Sequence, residues 1–263
     1  MAIIGTLPVT LQNGTIADAS QVMSDLNFIV NQVNANAQPT GTISPGSLVN
    51  IQVFTASGTY TPTPGANKAR IRAVGGGGAG GGSGNSAAGA AIGGGGSSGA
   101  YAEIYIPTGV SSQTVTIGAA GIAAAGANGG NGGITSFGAI LSCPGGLGGN
   151  LGGTVTSFPF VTSASTTPTA APTVTGATTI VSVPGMAGRG GEVVNSTTAN
   201  PGAGGSNLLG AGGQGVVGVN PDASRGNGSG YGAAGAGYSS FANVVPQAGY
   251  AATPGILIIE EYA

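Results

Sequence analysis

Histidine and tryptophan are absent from this 263-residue chain, and cysteine occurs once. The missing histidines remove the commonest general base and the commonest metal ligand. A single Cys143 excludes a disulfide within the chain and any CxxC site. Charge is almost as scarce. Five Lys and Arg and seven Asp and Glu make up 5% of the residues, where about 25% is usual. So few cations leave no basic footprint for nucleic acid. Long hydrophobic runs are also missing. No stretch approaches the roughly 18 apolar residues of a membrane-spanning helix, and residues 1–14 (MAIIGTLPVTLQNG) lack the basic and apolar regions of a secretory signal.

What is abundant is glycine, at 56 residues, with 15 prolines. Such a composition suggests low complexity. Disorder, however, goes with high charge and low hydropathy, and here the mean hydropathy is +0.30. An ordered, glycine-built structure held in an assembly is expected.

The glycine is unevenly placed. Residues 1–40 are nearly free of it and predict a helix, with Thr15 as cap and Gln38-Pro39 as stop. Ala19, Val22, Leu26, Ile29 and Val33 fall at steps of three and four, a seam for self-association. Ile16, Phe28 and Val30 widen that surface and favour three helices over two, hence a homotrimer. Residues 41–50 read as a linker and 51–263 as a glycine-rich β domain. Strands are expected on either side of a Ser-Gly turn in 51–60, and at 68–74, 101–106, 113–118, 134–141 and 255–262. Lys68, Arg70 and Arg72 read as a solvated strand face. Glu260 and Glu261, pointing to opposite faces, read as the solvated end of the last strand. Residues 154–184, rich in Thr and Ser, read as an inserted extended region or long loop.

Between the strands lie glycine blocks at 75–84, 93–96, 126–133, 145–153, 185–191, 202–205, 210–218 and 226–237. They lack the collagen register, and flexible linkers do not fit so many blocks punctuated by apolar strands. Extended polyglycine helices packed in layers, or loops, remain as readings. The fold class expected is mainly β, with a short N-terminal helix in a trimeric bundle and polyglycine II-like layers in the β domain.

Catalytic motifs carry little. Residues 95–99 (GGSSG) fit the nucleophile-elbow pattern, but Ser97 has no histidine to serve it. No glycine block ends in Lys-Ser or Lys-Thr, so there is no P-loop. The seven carboxylates offer no evident pair for glycoside hydrolysis. Cys143 reads as a small buried hydrophobe. No enzyme activity, cofactor or metal is expected.

Residues 53–61 (VFTASGTYT), 71–78 (IRAVGGGG), 114–118 (TVTIG), 129–137 (GGNGGITSF) and 254–262 (PGILIIEEY) together resemble the glycine-rich domain of bacteriophage tail-fibre and receptor-binding proteins. Residues 7–22 (LPVTLQNGTIADASQV) resemble the N-terminal segment of phage tail-fibre proteins. The resemblance implies a virion protein, made in the host cytoplasm, whose N-terminal segment attaches to tail or baseplate proteins. Its glycine-rich part would contact a bacterial surface glycan, outer-membrane protein or pilus. In T-even-type fibre adhesins similar motifs build a sandwich of polyglycine II helices, though the Thr/Ser insert departs from that pattern. The receptor-binding candidates are Tyr231, Tyr238, Phe241 and Tyr250, with Phe158 and Phe160 in the insert, because aromatic rings pack on sugar faces and apolar patches. The alternative is a purely structural tail or baseplate protein without receptor contact.

Overall fold

The computed structural model describes residues 19–36, 45–86, 89–161, 166–215, 223–241 and 244–263. Thr15, Ile16 and Gln38-Pro39 lie outside them. The chain divides into two compact units, Met1–Ser47 with Ala263, and Leu48–Tyr262. In the first, a helix runs over Ala19–Asn36. Val22, Leu26, Val30 and Val33 stand roughly half exposed along it, and Ile29 is half-buried. Among the described residues no helix is long and apolar enough to cross a membrane.

The second unit is mainly β and begins with a sandwich. One five-stranded antiparallel sheet has the order Leu48–Phe54, Ile256–Tyr262, Lys68–Val74, Tyr101–Ile106, Thr178–Val183. The other has the order Thr173–Val174, Leu141–Cys143, Thr135–Phe137, Gln113–Thr116, Gly58–Tyr60. Alternating residues close the space between them: Ala69, Ile71, Ala73, Ile104, Leu257 and Ile259 from the first, Tyr60, Val115, Phe137, Leu141 and Cys143 from the second. The period-2 pattern puts every other side chain on that inner face.

Three expectations need correction, and one left open between an extended region and a long loop is decided. The two strands around Ser57-Gly58 do not pair with each other; each joins a different sheet, so this segment crosses the sandwich. Residues 134–141 are not one strand. Thr135–Phe137 and Leu141–Cys143 form a hairpin, turned at Gly138, whose φ of +50° suits glycine. The Thr/Ser-rich 154–184 is not a simple loop, since it supplies an edge strand to each sandwich sheet. Finally, Glu261 is fully buried, not solvated. It lies on the inner face and accepts from Tyr60 Oη (2.7 Å), Thr63 N (2.9 Å), Thr63 Oγ1 (2.6 Å) and Gln52 Nε2 (3.3 Å). Burial pushes its pKa up, but the donors from Thr63, Tyr60 and Gln52 outweigh that and hold the carboxyl below its ordinary value.

The outer face also differs from a plain solvated one, because its charges are paired. Arg70 Nη2 lies 2.6 Å from Glu103 Oε1, and Arg72 Nη2 lies 2.6 Å from Glu260 Oε1.

Sandwich strands such as Lys68–Val74, Thr135–Phe137, Leu141–Cys143 and Thr178–Val183 adjoin glycine-rich runs, and these runs form a bundle. The N–H groups of Gly75, Gly78 and Gly81 donate to the carbonyls of Ala100, Ser97 and Gly94. Those of Gly76, Ala79 and Gly82 donate to Gly133, Gly130 and Ala127. Those of Gly77, Gly80 and Ser83 donate to Thr253, Tyr250 and Gln247. Every third residue returns to the same neighbour, and the acceptor number falls by three as the donor number rises by three. This is a helix of three residues per turn with antiparallel neighbours. It has no internal hydrogen bonds to satisfy its backbone, so all of them point sideways. A parallel neighbour donates as well, from Gly146, Gly149 and Gly152 to the carbonyls of Gly76, Ala79 and Gly82.

A second run, 93–100, repeats the pattern with two neighbours. Gly93, Gly96 and Gly99 donate to Tyr238, Gly235 and Gly232, while Gly94, Ser97 and Ala100 donate to Asn150, Leu147 and Pro144. Residues 75–83, 93–100 and 232–237 are all buried, so the centre of the bundle is backbone packed on backbone. A Cβ on Gly80 would overlap the carbonyl of Ala236, and one on Gly78 that of Leu147. The runs at 75–83 and 93–100, with their neighbours at 127–133, 144–152, 232–238 and 247–253, are therefore polyglycine II-type layers, not loops. At about 3.1 Å per residue, residues 75–83 extend roughly 25 Å beyond the sandwich.

Candidate functional site

Each run that leaves the sandwich must turn and come back. The described parts of the returns, 84–86, 89–92, 125–126, 153–161, 190–200, 223–225, 239–241 and 244–246, fall at the end of the bundle opposite the sandwich. The described parts of this far end carry small sheets of their own. Ser239–Ser240, Ala90–Ile92 and Thr154–Val155 form one, and Phe160–Val161, Glu192–Asn195 and Thr198–Asn200 another. A small core of Ala90, Ile92, Val193, Ala199 and Phe241 fixes them to each other, with Phe158 packed against it. Ser86 Oγ donates to the Phe241 carbonyl at 2.5 Å. Such turns stand on a rigid support, the usual setting for binding loops.

The six aromatic candidates do not form one patch. Phe241 and Tyr250 are core residues, 5% and 6% exposed. Phe158 joins Phe241 at the far end, whereas Tyr238 stacks against Tyr250 with ring centroids 5.9 Å apart. Tyr231 sits at the sandwich end, packed against the cluster of Val74, Tyr101 and Ile256. Only Phe160, 41% exposed, offers its ring at the far end.

Residues 54–261 match the family model described as a glycine-rich domain. The chain belongs to that family. A search of curated proteins finds no match to it.

Among the described residues of this glycine-rich domain, the far end exposes the large apolar side chains Phe160, Val161 (66%), Val194 (43%) and Val245 (68%). The three valines were not candidates from the sequence. A lone valine in a turn has no pattern to set it apart from a strand residue, and only the position of the returns reveals these. The described charges nearby, Arg189, Glu192 and Arg225, are exposed.

Other singled-out residues are structural. Ser97 is fully buried inside the bundle, and its Oγ accepts from Leu147 N at 2.7 Å. Thr166 and Thr169 of the insert use their hydroxyls as neighbours for the 185–189 run, accepting from Gly188 N at 2.9 Å and Gly185 N at 2.8 Å. Cys143 is buried, and desolvation pushes its thiol up to about 12. It is an inert hydrophobe of the sandwich core.

Proposed function

We propose that this chain is a bacteriophage tail-fibre or receptor-binding protein that attaches the virion to a bacterial surface receptor. The observation that carries this reading is the bundle itself. A backbone-packed glycine core, with its returns gathered at the end far from the sandwich, holds those turns on a support that needs few side chains. The helix seam of Val22, Leu26, Ile29 and Val33, with Ala19, would join three copies. The N-terminal segment would dock on tail or baseplate proteins, placing the chain in the virion. Three copies convert weak single contacts into avidity. The action is binding without chemistry, and the receptor is a surface glycan, outer-membrane protein or pilus.

The contact residues in this reading are Phe160, Val161, Val194 and Val245, while Tyr231, Tyr238, Phe241 and Tyr250 support the core. Purified full-length protein should bind susceptible cells. Val161→Asp with Val245→Asp should lower binding at least tenfold at unchanged melting temperature. Ile122→Asp, 81% exposed on the flank of the bundle, should leave binding intact. A wild-type protein that binds no cells favours the purely structural tail or baseplate role.

A further inference from the structure

Asn128, Asn131 and Asn227 of the bundle are each followed by glycine. Such a pair is chemically labile. The glycine backbone nitrogen attacks the asparagine Cγ, a succinimide ring closes, and the side-chain nitrogen leaves as ammonia. Water then opens the ring to aspartate or to isoaspartate. Asparagine is thermolabile, and a following glycine has no side chain to hinder the ring closure. All three asparagines are exposed, so water reaches them.

The bundle needs the glycines of the first two pairs. A Cβ on Gly129 would overlap the Ala79 carbonyl, and one on Gly132 the Gly76 carbonyl. Both face the central run at 75–83, where backbone packs on backbone. A bulkier residue cannot remove the reactive pair without breaking that packing.

The folded chain instead holds both reacting groups. Gly132 N donates to the Gly146 carbonyl at 2.8 Å, while Asn131 Oδ1 accepts from Gly148 N at 2.8 Å. One turn away, Gly129 N donates to the Gly149 carbonyl at 2.8 Å, and Asn128 Oδ1 accepts from Leu151 N at 2.7 Å. At the third pair, Gly228 N donates to the Ala251 carbonyl at 2.9 Å, and Asn227 Oδ1 accepts from Ala251 N at 3.0 Å. The nucleophile and the amide it would attack are thus tied to separate groups of a neighbouring run. Each amide oxygen takes the place of a backbone carbonyl that the edge of the bundle lacks. The geometry recurs at 128–130 and 131–133 because Asn-Gly-Gly is one turn of a three-residue helix.

We propose that these hydrogen bonds suppress succinimide formation at Asn128, Asn131 and Asn227, so that the sites lose ammonia only when the bundle opens around them. The inference does not depend on the receptor reading. It makes the bundle a guard of its own covalent structure, and the damage, once done, is one-way. Aspartate keeps an acceptor oxygen in place. Isoaspartate routes the chain through Cγ and adds a methylene to the backbone. That shifts a repeat in which every third residue must return to the same neighbour.

Full-length protein kept at pH 8 and 37 °C, folded or in urea, tests this by peptide mass mapping. Each of the three sites should deamidate at least tenfold more slowly in the folded protein, because reaction waits on opening. A folded rate within tenfold of the urea rate at any of the three overturns the proposal. On removal of urea, chains with aspartate at Asn128 or Asn131 should refold and resist limited proteolysis, and chains with isoaspartate should be digested. Equal survival of the two products overturns the one-way step. Asn131→Asp should melt within about 2 °C of wild type, since its carboxylate still accepts from Gly148 N. A larger fall overturns the role given to the amide oxygen.

Discussion

Gly80→Ala should destabilise the domain by at least about 3 kcal/mol, the upper part of the range for overpacking a tight core. The added methyl would overlap the Ala236 carbonyl. That carbonyl accepts from Tyr250 N at 2.9 Å, and Gly80 N itself donates to the Tyr250 carbonyl at 3.0 Å. The obstacle is backbone tied to backbone, so no rotamer change relieves it. For a domain of this size, 1 kcal/mol shifts the melting temperature by roughly 2–4 °C, so a fall of about 6–12 °C is expected by calorimetry. Gly153→Ala is the control. It has an ordinary φ and nothing within 4 Å of the new Cβ, and it should melt within about 2 °C of wild type.

Glu261→Leu should cost about 3 kcal/mol or more. The substitution leaves Tyr60 Oη, Thr63 N and Thr63 Oγ1 without their acceptor at a buried site, and an orphaned buried donor costs about 1–3 kcal/mol. The same group sets an acid limb of stability. Its folded pKa lies below the ordinary value, so the ionised form favours the folded state. That contribution is fully present above the unfolded carboxyl pKa of about 4.3 and is lost as the pH falls through the lower folded value. Glu261→Gln should flatten this limb in denaturant midpoints measured from pH 7 to pH 2. An unchanged acid limb would assign it to other carboxylates. Tyr60 takes part only as a neutral donor, since burial and then the Glu261 carboxylate raise its pKa far above the working range. Its ring also packs on Phe137 at 5.3 Å.

Some of this architecture was legible from residues alone. The alternation in Lys68–Val74 and the unbroken apolar run ending the chain announced strands, because a half-buried and an interior strand have those patterns. The helix at Ala19–Asn36 followed from steps of three and four. What the sequence could not show is partnership. The acceptors of Gly75, Gly76 and Gly77 lie at Ala100, Gly133 and Thr253, so the same glycine composition fits a linker and a close-packed bundle equally well. Glu261 misled because a carboxylate in the last strand is ordinarily solvated, and its donors come from residues some 200 positions earlier. Residues 154–184 hid their edge strands because these are short, uncharged and, in Thr178–Val183, interrupted by a bulge at Ile180.

The aromatic candidates show the same limit from another side. A chain so poor in large side chains needs its few rings inside, which is where Phe241 and Tyr250 lie. Exposure at the far end falls to Phe160 and to valines that no periodicity marks. The direction of each glycine run, set by the strand it joins, is what brings those turns together.

Amide hydrogen exchange across the full chain tests the central claim, that the glycine blocks are the hydrogen-bonded core and not connections. Amides in 76–82, 94–99 and 234–237 should be among the slowest in the protein, opening only with global unfolding and exchanging more slowly than those of the Ala19–Asn36 helix. Exchange of those glycine amides within minutes, while the sandwich strands stay protected, would contradict it.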